Sequence, residues 1–414
     1  MAQVSPFRGI HYDPAVVQLE TVLAPPYDVI SPQLQLELYG RAMQNVVRVE
    51  LGREFEGDLP GERDRYTRAR DHVQAWLAEG VLVQDQQPSF YVHRHSFRPP
   101  GGGGPRERLG CFVGVQPVPH ERREVLRHEL TMTAPRADRL RLLQTTRVQT
   151  SPVFLLYEDS EEVTRELGRV ASVERPFAEA VVEGEYGSER HQLWRISDPA
   201  AVGKIAAGLS RTRLFIADGH HRYETALNLG LGQVLALVSP LEDASNVILP
   251  THRVVPEATK EVDELAEALS SRGWQIEPVV EVNDAMAEVA ALRGNAHAIA
   301  ILGATGKVVA SRPRREDEAA SPQLALDVAI LESEILDPLL GIAPGDAVAG
   351  RLLYTRDPQE ALELALAQRG LAFLVNSTTV SEMAAVAMAD GAMPQKSTYF
   401  FPKVPAGLVI MSIE

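Results

Sequence analysis

Hydrophobic and polar positions along the chain follow two periods, one near 2 and one near 3.6, and the two keep replacing each other from end to end. A turn-rich opening, LAPPYDVISPQ, leads into the apolar run NVVRVELG, and a helical period follows from about Asp64 to Glu79, with Gly80 placed as a C-cap glycine. Two strand patterns come next, SFYVHRHSF and RLGCFVGVQPV, and the PPGGGGPRE between them reads as a hairpin tip. After RREVLRHELTM the order is a helix over about 136–148, a buried strand SPVFLLYE, an acidic helix from about 160, the strand HQLWRI and another helix. LFIADGHHRYETALNLG then passes from strand period to helix period without a break, and QVLALVSP and NVILPTHRVV follow. The last part repeats the alternation: a helix near 260–271, the strand AHAIAILG, a helix at about 323–336, then AFLVNSTTVSEMAAVAMADG and MPQKSTYFFPKVPAGLVIMSIE. Strands alternating with helices predict a mixed α/β (α+β) protein with a mixed or parallel sheet. The breaks suggest three units: 1–120, 121–257 and 258–414.

A chain of 414 residues is long enough for two or three such units, and 45% hydrophobic with 23% charged residues is an ordinary globular balance. The net charge of -15 repels nucleic acid and anionic membranes as a whole-molecule effect, so neither is expected as a partner. Cys111 is the one cysteine, which excludes a disulfide framework and a cysteine-rich metal site. No apolar run approaches the roughly 18 residues of a membrane span, and the opening MAQVSPFRGIHYDP has no leader-like apolar stretch; the expectation is a cytoplasmic protein, with a homodimer left open. The basic residues are 36 Arg and only 5 Lys, yet Lys396 and Lys403 fall within one eight-residue stretch.

The chemistry concentrates where LFIAD meets GHHRYETAL. Asp218 stands where an N-cap belongs, and the first N–H groups of a helix form an anion site. His220, His221 and Arg222 add donors there, and the Arg fork suits phosphate oxygens. Tyr223, Ala226 and Leu227 supply the apolar face of the helix, and His220 is spaced to pair with Glu224. The same residues also suit a structural turn in which Asp218 caps and Arg222 sits in a buried salt bridge. The two readings predict opposite outcomes for Arg222→Ala in the empty protein: nearly unchanged stability for a ligand site, and a loss of about 3 to 5 kcal/mol for a structural pair.

Other candidates are weaker on their own. The double proline before Tyr27 and Asp28 stiffens a loop that presents both to a substrate. His93 and His95 alternate in a strand and share a face, but no third ligand is matched to them, so a solvated strand face is expected. QKSTYFFPK lacks the glycine loop of a Walker motif, although Lys396 is placed to reach a phosphate from a loop.

The stretch ADGHHRYETA resembles the signature of the ParB and sulfiredoxin-like superfamily, and its Asp-Gly-His-His-Arg-Tyr is similar to that of the archaeal-type free serine kinases. His128 and Glu129, in RHELTM, resemble the His-Glu pair of those kinases. Over nearly its whole length the chain resembles the DUF1015 family, through APPYDVIS, NVVRVELG, RHELT, DRL, SPVFLLY, ADGHHRY, LPTHRVV and MPQKSTYFFPK. The resemblance implies a ParB/sulfiredoxin-like nucleotide-binding core with flanking α/β units, and a kinase transferring phosphate from ATP or ADP to the hydroxyl of free L-serine. It implies Glu129 as base beside His128 and Asp218, with Gly219, His220, His221, Arg222 and Lys396 on the phosphates. Tyr27, Asp28 and Arg253 then contact the substrate, and Mg2+ is shared by Asp218 and Glu129. His220 occupies the position of the reactive cysteine of sulfiredoxins, which argues against sulfinic acid reduction. The 89 residues from Glu129 to Asp218 imply an insertion between the two motifs. Two further classes stay open: a nucleotide-gated regulatory protein without kinase activity, and a metal-dependent hydrolase using the histidines.

Overall fold

The computed structural model describes residues 2–131, 133–158, 160–316, 318–343, 345–347 and 349–413. It divides into two compact units: Met1–Arg127 with Thr131–Val247 and Phe401–Glu414, and His128–Leu130 with Ile248–Phe400.

The first unit is built on a nine-stranded sheet. Its strands are β1 (Val4–Ser5), β2 (Phe90–Phe97), β3 (Arg106–Val115), β4 (Val125–Leu126), β5 (Val153–Tyr157), β6 (Ala178–Gly184), β7 (Gly187–Ile196), β8 (Leu214–Asp218) and β9 (Val234–Pro240). They lie in the order β4-β8-β5-β9-β3-β2-β7-β6, with β1 alongside β3. Only β4–β8 and β5–β9 are parallel. The others are antiparallel, because short hairpins join β2 to β3 and β6 to β7. Strands from before and after residue 120 share this sheet: β3 pairs with β9 in register Val234↔Val115. A division near 120 would leave the main-chain groups of both strands unpaired.

The helix Glu161–Val173 covers one face, burying Val163, Leu167, Val170 and Ala171 at helical spacing, and Ile205 and Leu209 of the helix Pro199–Ser210 join the same core. The expected helix after Asp64 is Arg65–Ala78, and Asp64 caps it by accepting from the N–H groups of Tyr66 and Thr67. Gly80 follows at φ +72°. The apolar run NVVRVELG contributes the helical turn Val47–Glu50, whose first N–H donates to Asn45 Oδ1 at 3.0 Å. A smaller antiparallel sheet orders Leu82–Gln84, Gly9–Tyr12, Ile410–Ser412 and Val148–Gln149, so the last strand of the chain pairs with one of its first.

The second unit holds a six-stranded sheet of β10 (His252–Val255), β11 (Gln275–Pro278), β12 (Ala296–Leu302), β13 (Lys307–Pro313), β14 (Leu353–Thr355) and β15 (Leu371–Val375). The order is β11-β13-β12-β15-β10-β14 and every pair is antiparallel, where the alternation of periods had suggested a mixed or parallel sheet. Alternate residues of β12, Ile299 and Ile301 against Ala298, Ala300 and Leu302, fill two different cores, one on each face. The helical run expected over 323–336 is Asp327–Leu340 in three consecutive segments, the middle one a wider π turn just before Pro338.

Candidate functional site

The turn that ends β8 is made by Gly219, which sits at φ 93° and ψ 29° and opens the helix His220–Asn228. An L side chain rarely adopts that conformation, and a Cβ at Gly219 would lie 3.0 Å from Arg222 Nε. The N-cap position therefore falls on the glycine, which has no side chain to cap with, and the expectation of Asp218 as the cap is corrected. Asp218 is the last residue of β8, and its carboxylate faces two cations. Oδ2 accepts from Arg222 at 2.6 Å and Oδ1 accepts from Lys403 Nζ. Arg222 also donates to the carbonyl of Pro152. The buried salt bridge of the structural reading thus exists, and it lies at the mouth of an uncapped helix.

The charges explain one another. Burial alone would raise the Asp218 carboxyl, but the Lys403 ammonium and the Arg222 guanidinium outweigh it and hold it well below the usual range. Burial works against the charge of Arg222, and Asp218, Asp28, Glu50 and Tyr27 more than restore it. Tyr27 and Asp28 are therefore within electrostatic reach of Arg222. Burial, with the Asp28 carboxylate second, pushes the Tyr27 hydroxyl up to about 12. The guanidinium of Arg139 lies 4.1 Å above the Tyr27 ring.

Between these groups is a cavity of about 50 Å³, lined among others by Glu50, Arg139, Thr150, Ser151, Arg222 and Thr225. At roughly 10–15 Å³ per water site it holds a few waters and is small against a nucleotide. Glu50 is 2% exposed; its Oε2 accepts from Thr150 Oγ1, while Oε1 and the Ser151 hydroxyl have no hydrogen-bond partner among the described residues. The helix is anchored by Glu224, which accepts from Thr131 Oγ1 at 2.6 Å and forms ion pairs with His120, Arg127 and Arg136. The neighbouring His120 comes first, with Thr131 and Arg136, among the groups that lower the Glu224 carboxyl to about 2.

His220 and His221 open the helix His220–Asn228 in the same unit, and the remaining predicted residues belong to the second unit. His128 is buried, with Nε2 2.9 Å from Thr398 Oγ1, and its carbonyl accepts from Met393 N at 2.8 Å. Glu129 follows in a bend, half-buried, and its charge helps to raise the Tyr354 hydroxyl, behind the larger effect of burial. Arg253 is 1% exposed and donates to the carbonyls of Thr251 and Gln395, so it braces the loop that carries Thr398. Lys396, in that loop, is exposed with φ 56°. The structure thus gathers Tyr27, Asp28, Asp218, Gly219 and Arg222 in one unit, and His128, Arg253 and the 394–398 loop in the other.

Sequence reasoning passed over Lys403, Glu50 and Arg139. Lys403 had a signal, since it is one of only five lysines, but Lys396 was preferred. As a magnesium ligand Asp218 does not fit, because each of its oxygens is held by a cation. Glu129 keeps a half-buried carboxylate.

A family model described as "Protein of unknown function (DUF1015)" matches residues 4–329. None of the curated proteins compared matches the chain. Among solved structures, a free serine kinase in complex with AMP aligns at TM-score 0.39 and 14% identity, over 74% of this chain and 91% of that one. A conserved hypothetical protein from Pyrococcus furiosus aligns at TM-score 0.37 and 13% identity, over 74% and 95%. SbnI from Staphylococcus aureus, truncated at its C-terminus, aligns at TM-score 0.37 and 11% identity, over 72% and 85%.

Proposed function

Since the chain belongs to the DUF1015 family, whose activity is not fixed by that membership, we propose from its own residues that it is a nucleotide-dependent phosphotransferase acting on a small-molecule hydroxyl, free L-serine above all, with ATP or ADP as donor. The observation that carries this reading is the uncapped helix start at Gly219, with Arg222 and Lys403 gathered at Asp218. Phosphoryl transfer needs little covalent help from a protein; it needs the phosphates positioned and their charge neutralised. The N–H groups of a helix start and two cations supply both. His220 and His221 stand at the same mouth, and Tyr27 and Asp28 present the acceptor.

In the reaction the serine hydroxyl oxygen attacks the terminal phosphorus, the bridging P–O bond breaks toward the nucleotide, and Glu129 takes the hydroxyl proton while His128 holds its loop in place. Lys396 and Arg253 belong to the same loop region in this reading. Asp218 orients Arg222 and Lys403 and carries no step through a metal; the magnesium ion accompanies the nucleotide phosphates.

Purified protein incubated with ATP or ADP, magnesium and L-serine should yield phosphoserine by mass spectrometry, and a pool of hydroxyl metabolites extends the search to other acceptors. Glu129→Gln should keep nucleotide affinity while turnover falls by a factor of roughly 100 or more. Near-normal turnover in that variant would remove Glu129 from the role of base. Nucleotide binding without a phosphorylated product from any acceptor favours the regulatory reading.

A further inference from the structure

His93 and His95 do not face solvent. Both are buried, at 1% and 0% exposure, and the neighbouring strand supplies what the sequence pattern lacked. In the β7–β2 register His191 lies directly opposite His95, and Glu189, two residues before it, is on the same face. His93 Nε2 is 3.0 Å from His191 Nδ1, and His95 Nε2 is 2.8 Å from Glu189 Oε2. A ligand nitrogen from each of the three rings lies within 4.8 Å of the others.

We propose that His93, His95 and His191 form a binding site for a divalent transition metal of the zinc class, pinning β7 to β2, with the Glu189 carboxylate beside it on His95. Tetrahedral zinc at about 2.0–2.1 Å from nitrogen needs its ligand atoms roughly 3.3 Å apart, and His93 Nε2 and His191 Nδ1 are already 3.0 Å apart. The set also has an unanswered donor or acceptor: His191 is 1% exposed and its Nε2 has no hydrogen-bond partner among the described residues. Phe97 and Phe112 stand at 5.3 and 5.7 Å from the rings of His95 and His93 and form the apolar shell that such sites use.

Arg108 opposes the ion. It sits opposite His95 on β3, is fully buried, and donates to His95 Nδ1 at 3.2 Å. When a metal takes Nε2, the ring proton moves to Nδ1 and this bond is given up, while Arg108 keeps the Pro402 carbonyl at 3.0 Å. The cost falls on affinity, so Arg108→Met should bind the ion more tightly.

The test uses the full chain without a histidine tag, stripped with chelator and titrated with zinc, and with cobalt as a visible reporter. One ion per chain and a tetrahedral cobalt spectrum are expected, together with a rise in melting temperature. His93→Gln and His191→Gln should each lose the cobalt spectrum. Each should also weaken zinc binding by at least the roughly 10–100-fold that loss of an outer-shell partner costs. Zinc that binds both variants as it binds the parent overturns the site, as does weaker binding in a folded Arg108→Met protein. If the glutamine variants do not fold, the parent decides alone: no ion retained after dialysis overturns the proposal.

Discussion

Arg222 is a member of an ion pair and, in the proposed function, the group that binds phosphate at the turn, and the two roles predict different things for its variants. Arg222→Lys keeps the charge but loses the planar fork, so nucleotide affinity should fall about tenfold, one decade for 1.4 kcal/mol. Arg222→Ala should fall further. Because the guanidinium also bonds Asp218 and the Pro152 carbonyl, the alanine variant should lower the stability of the empty protein too, by about 1 to 3 kcal/mol. Lys403 stays on Asp218 and keeps the loss below that of an orphaned buried charge. Thermal melts with and without nucleotide separate the two effects, and an empty protein with an unshifted melting temperature would mean that the pair contributes nothing to the fold. Glu224 gives a pH test. Its folded value is depressed, from 4.5 to about 2, so its contribution is present above about 4.5 and is lost as the pH falls toward 2. The difference in melting temperature between the parent and Glu224→Gln should narrow over that interval. The turn was legible because Asp-Gly-His-His-Arg joins two periods; Lys403 was not, since its partner is 185 residues away.

At the scale of elements, the helix at Gly219 depends on one left-handed residue. Gly219→Ala places an L side chain at φ 93°, a cost of about 1–2 kcal/mol, and presses its Cβ on Arg222 Nε. Both the melting temperature and nucleotide affinity should therefore drop, the second because Arg222 must move. Unchanged affinity in a destabilised variant would separate the helix start from the ligand. Some strands were legible in place: SFYVHRHSF is β2, and the continuous apolar run in SPVFLLYE is β5. Their partners were not. His93 and His95 read as a solvated face since nothing local says that β7 lies beside β2, and Glu189 and His191 alternate there just as the first pair does.

For the whole molecule, the mixed α/β class follows from the alternation, but the direction of the strands does not, because a period of 2 is the same for parallel and antiparallel neighbours. The second sheet is antiparallel throughout, which the period alone does not reveal. Sequence breaks near 120 and 257 mark changes of period, whereas compactness follows contact, and contact returns Phe401–Glu414 to the unit that Met1 began. His128 and Glu129 lie in a three-residue segment that groups with residues more than a hundred positions later, which no window on the sequence contains.

That return sets an order of events on the ribosome. Translation makes Asp218 and Arg222 early, then the 153 residues Ile248–Phe400, and only afterwards Lys403 and the strand Ile410–Ser412. Until then Asp218 has one of its two cations, and Gly9–Tyr12 and Val148–Gln149 lack the strand that lies between them. The turn at Asp218 therefore gains its second cation only after Ile248–Phe400 has been made, and a nascent chain carries it in an incomplete form until then.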